Sequence, residues 1–142
     1  MKKNLLYILA ILLTLTSCSS KFSFFENYDL SSGKYKVLVF ADEGDWIENY
    51  RNFYIDDIET LIKMKKQWVF NQKSEVMPCG YGYNIYLVDE DTILKNISVN
   101  IDCEYMTGWW KFPKEYLTKH KSSFKVMSEK ELSEFHLKYF DR

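Results

Sequence analysis

The sequence is poor in the residues on which most recognisable catalytic and metal centres depend. It contains two histidines, three cysteines, five glycines and two prolines in 142 residues. Neither His120 nor His136 has a metal-ligating residue four positions further on, and the cysteines form no Cys-x-x-Cys pair. Neither a phosphate-binding glycine loop nor a Gly-x-Ser-x-Gly nucleophile motif occurs. The sequence therefore predicts no metal, no cofactor and no catalytic residue of a common class.

An excess of one charge is also missing. Nineteen Lys and Arg residues face 20 Asp and Glu residues, and no block of like charge marks a surface for nucleic acid. We therefore expect no nucleic-acid partner. His136 falls on the apolar stripe of a predicted helix, a position that favours a packed structural histidine over a metal ligand.

The first eighteen residues form a separate unit. Lys2 and Lys3 precede an apolar run, Leu5 to Leu15, which is typical of a signal peptide and too short to span a bilayer, a task that takes about 20 residues. The run ends in Leu-Thr-Ser followed by Cys18, which resembles the lipobox of bacterial lipoprotein signal peptides. This resemblance covers residues 1–18 only. The alternative is an ordinary secretory signal with a cysteine there by chance.

The resemblance implies cleavage of residues 1–17 and lipidation of Cys18. Several acyl chains on one residue give stable membrane anchoring, whereas one chain alone is marginal. Ser19 follows the cysteine, where a known bacterial sorting pattern uses Asp to retain lipoproteins in the inner membrane. We therefore expect a cell-envelope protein anchored in the outer membrane and facing the periplasm.

Composition divides the mature chain in two. Residues 18–33 comprise the lipidated cysteine and a predicted tether rich in Ser, Asn, Asp and Gly, and residues 34–142 form a single predicted domain. Phe22, Phe24 and Phe25 depart from linker composition. They either enter the membrane interface or pack on the domain.

The domain is predicted to be α+β, with a small, mainly antiparallel sheet, a central β-hairpin at about 80–105 and helices packed on one face. The hairpin is the clearest element, because two alternating segments flank the polar turn Asp89–Thr92. Pairing Tyr83 with Val99 and Ile85 with Ile97 gives one apolar face and one polar face. The other predicted elements are strands at 34–41, 67–70, 109–112 and 124–127, and helices beginning at Asp56, Pro113 and Ser128. Residues 46–55 are ambiguous, although their aromatic residues fit a short helix.

The same pairing places Cys79 opposite Cys103. Opposed residues of an antiparallel pair lie about 4.5–5.5 Å apart, within the range that a disulfide bridges. With Cys18 lipidated, the remaining two cysteines form an even pair in an oxidising compartment. We therefore predict a structural Cys79–Cys103 disulfide.

The candidate binding patch comprises Trp109, Trp110 and Tyr105, whose rings suit a sugar or a partner protein. Since neighbouring strand residues face opposite sides, one indole is expected in the core and the other in solvent. A separate motif, Asp91-Thr92-Ile93, resembles a bacterial O-glycosylation site.

Three functions follow from these patterns. The first is a non-catalytic binding protein of the envelope, whose partner is a protein, a glycan or, for an immunity-type protein, a toxin. The second is a structural envelope tether. The third is a hydrolase built on the carboxylates Asp42, Asp45 and Asp102. Asp42, Glu43 and Asp45 could also hold a calcium ion, but their pattern favours a solvated turn. The absence of catalytic patterns places the binding protein first.

Overall fold

The computed structural model describes residues 20–42, 47, 50–72 and 79–141. Cys18 and the rest of the leader lie outside these residues, as do Glu43 and Asp45. Within the described part, no helix is both long and apolar enough to cross a bilayer. The α+β class and the antiparallel sheet are confirmed.

The described chain forms nine strands and three α-helices. The strands are β1 Lys21–Ser23, β2 Lys36–Ala41, β3 Asn52–Ile55, β4 Val69–Asn71, β5 Tyr83–Val88, β6 Ile93–Asn100, β7 Tyr105–Met106, β8 Trp110–Lys111 and β9 Lys125–Val126. The helices are α1 Ile58–Gln67, α2 Glu115–Thr118 and α3 Glu129–Tyr139. Leu30–Ser32 and Lys121–Ser123 form short 3-10 helices.

Seven strands make one antiparallel sheet in the order β8-β7-β6-β5-β2-β3-β9, and β1 pairs with β4 in a separate two-stranded sheet. The apolar run predicted at 34–41 becomes β2, with β5 on one side and β3 on the other. This position explains why Val37, Leu38 and Val39 are all fully buried.

The two faces of the large sheet are covered differently. We call the face that carries Val39, Phe53 and Ile85 the inner face, and the face that carries Leu38, Tyr54 and Tyr86 the outer face; each set consists of paired neighbours on β2, β3 and β5. The inner face packs against α1, α2 and the β1–β4 pair, whereas the outer face packs against α3. Helices therefore lie on both faces, and the expectation that they share one face is wrong for α3.

Aromatic side chains fill the core under the inner face. Trp68 is fully buried, its ring lies 5.6 Å from Phe24, 5.4 Å from Phe25 and 5.3 Å from Phe112, and its Nε1 donates to the carbonyl of Tyr116 at 3.1 Å. A large part of the 18% aromatic content of the sequence therefore lies in this core. Each of these rings buries a large area.

The tether prediction is wrong for residues 20–33. Phe24 and Phe25 are 0% exposed, and β1 places Phe22 opposite Phe70. Lys95 on β6 also donates to the carbonyl of Ser23 at 3.3 Å. Of the two alternatives for these phenylalanines, packing on the domain is the correct one. Burial of two adjacent rings outweighs the linker-like composition around them.

The segment 46–55, whose pattern is ambiguous but fits a short helix, contains a strand. Its last four residues are β3, in which Phe53 and Ile55 point inward between β2 and β9. Helix α1 then begins one residue later than expected, because Asp57 accepts the hydrogen bond of Thr60 N at 2.8 Å. Asp56 forms an ion pair with Lys125 at 2.7 Å instead. Residues 46, 48 and 49 lie outside the described part.

The C-terminal half follows the sequence more closely. Helix α3 begins at the predicted capping box, in which Ser128 Oγ accepts from Glu131 N and Glu131 accepts from Ser128 N. The helix predicted from Pro113 to about Lys121 is shorter, since α2 spans only four residues before the chain turns into a 3-10 helix. The strand predicted at 124–127 is β9.

The central hairpin has the predicted register, with Tyr83 paired to Val99 and Ile85 to Ile97. Strand β6 nevertheless ends at Asn100 rather than continuing to residue 105. Asn100 Oδ1 accepts from the backbone N–H of Asp102 at 3.1 Å and of Cys103 at 2.9 Å, and Nδ2 donates to Gly80 O at 2.6 Å. This side chain caps the turn that sends the chain back as β7.

Candidate binding surface on the outer face

The predicted Cys79–Cys103 disulfide is present and joins the open end of the β5–β6 hairpin to the turn after β6, with a Cα–Cα distance of 6.6 Å. Asn100 bonds to both sides of the same junction. The disulfide and the amide therefore hold this end of the sheet together, close to where the candidate aromatic residues are found.

Trp109 lies in the turn between β7 and β8 with its backbone in the left-handed region, at φ +69°. Gly108 beside it has φ +83°, so two consecutive residues adopt a conformation that favours glycine. The Trp109 side chain is 54% exposed. Trp110 is half-buried, with its ring 5.7 Å from Phe22. Trp109 therefore faces solvent and Trp110 packs inward, but strand alternation is not the cause, because Trp109 lies in the turn before β8.

Tyr105 stacks on Tyr81, with ring centroids 5.2 Å apart and planes at 26°. The alternation that pairs Tyr83 with Val99 predicts Tyr81 on the same apolar face, opposite Ile101. Tyr81 is instead 39% exposed, because β5 begins only at Tyr83 and the chain before it follows the turn held by Asn100. Burial, together with the neighbouring Tyr81 hydroxyl, raises the pKa of Tyr105 to about 12. The Tyr105 hydroxyl is therefore a hydrogen-bond donor at neutral pH. We call Tyr81, Tyr105 and Trp109 the aromatic patch.

Charged pairs lie beside this patch. Lys111 lies 3.5 Å from Glu104, and Lys114 lies 3.2 Å from Asp102. All four side chains are substantially exposed, so they contribute little to stability. The aromatic patch with these ion pairs beside it resembles a protein interface, which has an aromatic centre and a polar rim.

A groove opens on the outer face between α3 and the strands beneath it, with a volume of about 410 Å³. Its wall consists of rings that touch one another: Phe40 lies 5.8 Å from Tyr86, 5.5 Å from His136 and 5.9 Å from Phe140, and Tyr86 lies 5.0 Å from Phe140. His136 is exposed and the other three rings are half-exposed. The expectation that His136 is a packed structural histidine is therefore only half right, since its ring contacts Phe40 and Phe140 at tilted angles but faces solvent.

Polar side chains line the other side of the groove. Asn84 donates from Nδ2 to Asp42 Oδ1 at 2.7 Å and accepts from Ser98 Oγ at 2.5 Å. Asn52 Oδ1 accepts from the backbone N–H of Ala41 at 3.2 Å. Burial raises the pKa of Tyr86, and the Asp42 carboxylate raises it further, so the Tyr86 hydroxyl keeps its proton at neutral pH.

The buried histidine is His120 rather than His136. It is 8% exposed, and its Nε2 lies 2.8 Å from Gln67 Oε1. Burial lowers the pKa of His120, and Lys63 and Lys119 lower it further. The ring is therefore neutral at pH 7 and joins α1 to the segment after α2.

The carboxylates considered for hydrolysis are engaged in separate contacts. Asp42 bonds to Asn84, whereas Asp102 pairs with Lys114. Asp45 lies outside the described residues. Across the described part of the chain, no cluster of three or more His, Cys, Asp or Glu side chains could hold a metal ion.

The groove was missed at the sequence level. Its rings come from β2, β5 and α3, and no local pattern joins them. One signal was available: His136 and Phe140 are four residues apart and so share a helix face, which is the face turned to Phe40. No protein-family model, curated protein or solved structure matches the chain. Its function must therefore be argued from the geometry of these two surfaces.

Proposed function

We propose that this chain is a lipid-anchored envelope protein that binds a partner protein through the aromatic patch, without catalysing a reaction. The observation that carries the proposal is the conformation of Trp109. A non-glycine residue in the left-handed region destabilises the folded chain by about 1 kcal/mol. Because the Trp109 indole is more than half exposed, its burial offsets little of this loss. Contact with another molecule accounts for a bulky ring at this position.

The composition of the patch supports a protein partner. Tryptophan and tyrosine are the residues most enriched at the centres of protein interfaces, where a few of them provide most of the binding free energy. The Tyr81–Tyr105 stack adds a second ring surface held by the disulfide turn, so little side-chain freedom is lost on binding.

The envelope location is supported by two independent features. The leader resembles that of bacterial lipoproteins, and the domain contains a disulfide, a bond that persists in oxidising compartments. If Cys18 carries the lipid, the Cys18→Ser variant will move from the detergent phase to the aqueous phase in a detergent-partitioning experiment. Retention of this variant in the detergent phase would contradict the anchor.

The partner-binding role is tested by placing a photo-crosslinking amino acid at position 109 of the full-length protein in native membranes. We expect one dominant adduct, because a specific interface surrounds the central ring with one partner. The matched control is position 137, since Leu137 is 64% exposed on α3, outside both the groove and the patch. The photo-crosslinking amino acid is chosen with an aromatic side chain, so that a ring stays at position 109. In separate pull-downs of variants that lack the crosslinker, the partner identified by the adduct should be lost in Trp109→Ala and kept in Leu137→Ala.

The alternative roles give different outcomes. A structural tether would give no dominant adduct at position 109, or the same adducts at positions 109 and 137, and either result would contradict the proposal. An immunity-type protein would give a toxin as the adduct partner.

A further inference from the structure

We propose that the groove between α3 and the outer face is a second binding site, which takes a saccharide unit. It is separate from the aromatic patch. The residues that would hold the sugar are Phe40, Asp42, Asn52, Asn84, Tyr86 and His136.

The size and lining of the groove suit a small ligand. Its volume of about 410 Å³ falls within the roughly 300–1,000 Å³ of ligand sites in proteins, which are mostly apolar with a few convergent polar groups. Phe40, Tyr86, Leu132 and Phe140 provide the apolar part, and Asp42, Asn52 and Asn84 provide the polar part.

The exposed rings are the first sign of a ligand with an apolar face. Rings that only stabilised α3 would be covered by it, but Phe40, Tyr86 and Phe140 stay half-exposed although each touches at least two others in the cluster. A pyranose has one face of C–H groups that can lie on such a ring. The rings also touch each other rather than facing each other across a gap, which is not the arrangement of a cage around a cation.

The polar groups indicate hydroxyls rather than an anion or a cation. The groove is lined by the Asp42 carboxylate, the Asn52 carboxamide and the Tyr86 hydroxyl, so it presents both hydrogen-bond acceptors and donors. A hydroxyl both donates and accepts, so neighbouring sugar hydroxyls can satisfy this mixed set. The Asp42 carboxylate would repel a phosphate, and an ammonium group would leave the Asn52 donors unsatisfied.

The polar side is held in place before any ligand arrives. Asn84 bridges Ser98 and Asp42, and the backbone N–H of Ser98 donates to Thr107 Oγ1 at 3.3 Å. These bonds run from Thr107, the residue after β7, through β6 and β5 to Asp42, the residue after β2. The Asp42 carboxylate is therefore oriented by a row of hydrogen bonds across the sheet, which lowers the entropy lost on binding.

The test is an NMR titration of the isotopically labelled mature protein with glucose, galactose, mannose and N-acetylglucosamine, each up to tens of millimolar. We expect at least one sugar to give saturable shifts at Asn52, Asn84, Tyr86 and His136. His136→Ala should weaken that binding about tenfold by removing ring contact and a hydrogen bond, and it should not affect folding because His136 is exposed. Asn84→Ala should weaken binding at least as much, and Leu137→Ala, at an exposed position of α3 that does not line the groove, should leave it unchanged.

Three results would overturn the proposal: no saturable shift with any of the four sugars, shifts that map to Trp109 and Tyr105 instead of the groove, or groove binding by tetramethylammonium or phosphate with none by sugars. None of these results bears on the crosslinking experiment at position 109. The saccharide site and the protein-binding role can therefore fail separately.

Discussion

The inner and outer faces of the large sheet are made from the same strands, yet they are covered to very different extents. On the inner face, Val39, Phe53 and Ile85 are fully buried beneath α1, whose Leu61 and Met64 are fully buried too. On the outer face, α3 has no fully buried residue, and the rings of Phe40 and Tyr86 remain half-exposed beside it. Burial is therefore concentrated on the inner face, whereas the side chains of α3 on the outer face remain more accessible to solvent.

The attachment of α3 is consistent with this division. It rests on half-buried rings such as Phe135, which lies 5.7 Å from Tyr54, and on a hydrogen bond from the Tyr139 hydroxyl to the carbonyl of Asp89 at 2.7 Å. Because stabilisation by burial scales with the area removed from water, α3 contributes less per residue than α1. The outer face can therefore present a groove at its margin without loss of the main core.

The sharpest test of the division compares Phe24→Ala with Phe135→Ala. Phe24 is fully buried in the inner core, so its truncation should lower the free energy of unfolding by about 3–5 kcal/mol. Phe135 is half-buried on the outer face and should cost about 1–2 kcal/mol. Urea unfolding of the two variants measures both values. Equal losses would contradict the division, and a negligible loss for Phe24→Ala would restore the tether interpretation of residues 20–33.

The second test removes the disulfide. Cys79 and Cys103 are 24 residues apart, and a loop of that length is expected to stabilise the folded chain by about 3 kcal/mol. The Cys79→Ala/Cys103→Ala double variant should therefore unfold at lower urea concentration, and reduction of the unmodified chain should have a similar effect. If only the aromatic patch depended on the bond, the variant would lose the partner crosslink at position 109 with no change in unfolding.

The third test measures how much stability the left-handed backbone conformation at position 109 costs. Trp109→Gly should be about 1 kcal/mol more stable than Trp109→Ala, because only glycine adopts φ +69° without steric cost. Both variants remove the ring, so their difference in thermal unfolding reports the backbone alone. The partner should be lost in both. A Trp109→Ala variant as stable as Trp109→Gly would remove the strain argument for a binding role.

The fourth test uses pH to distinguish the two histidines. The pKa of His120 is lower in the folded chain than in the unfolded chain, so below about pH 6.5 the unfolded state takes up a proton that the folded state does not. The stability contributed by His120 is thus fully present above that pH and is lost as pH falls toward the folded pKa. His120→Gln should flatten the decline of unfolding free energy between about pH 7 and pH 5. The exposed-site variant His136→Gln serves as the control and should retain the decline.

Local sequence patterns predicted those parts of the fold whose interacting residues lie near one another in the sequence. The register of β5 and β6 followed from strict alternation, since a slip of one residue would turn every apolar side chain outward. The disulfide followed from that register. The capping box at Ser128 needed only a residue three positions away.

Predictions failed where a partner distant in sequence decides the outcome. Phe24 and Phe25 pack on Trp68, more than forty residues later, so nothing in their neighbours distinguishes a tether from a core segment. Tyr81 has the parity of a buried residue, but the Asn100 turn redirects it to the surface. The groove depends on β2, β5 and α3 meeting on one face.

The hairpin register, the cysteine pair and the capping box at Ser128 can be predicted from the sequence alone, because each is a periodicity or a spacing that backbone geometry converts directly into structure. Which aromatic rings are buried and which face solvent depends on contacts between segments that are distant in the sequence. That choice depends on how much apolar area distant segments cover when they meet, a quantity that no window of neighbouring residues contains.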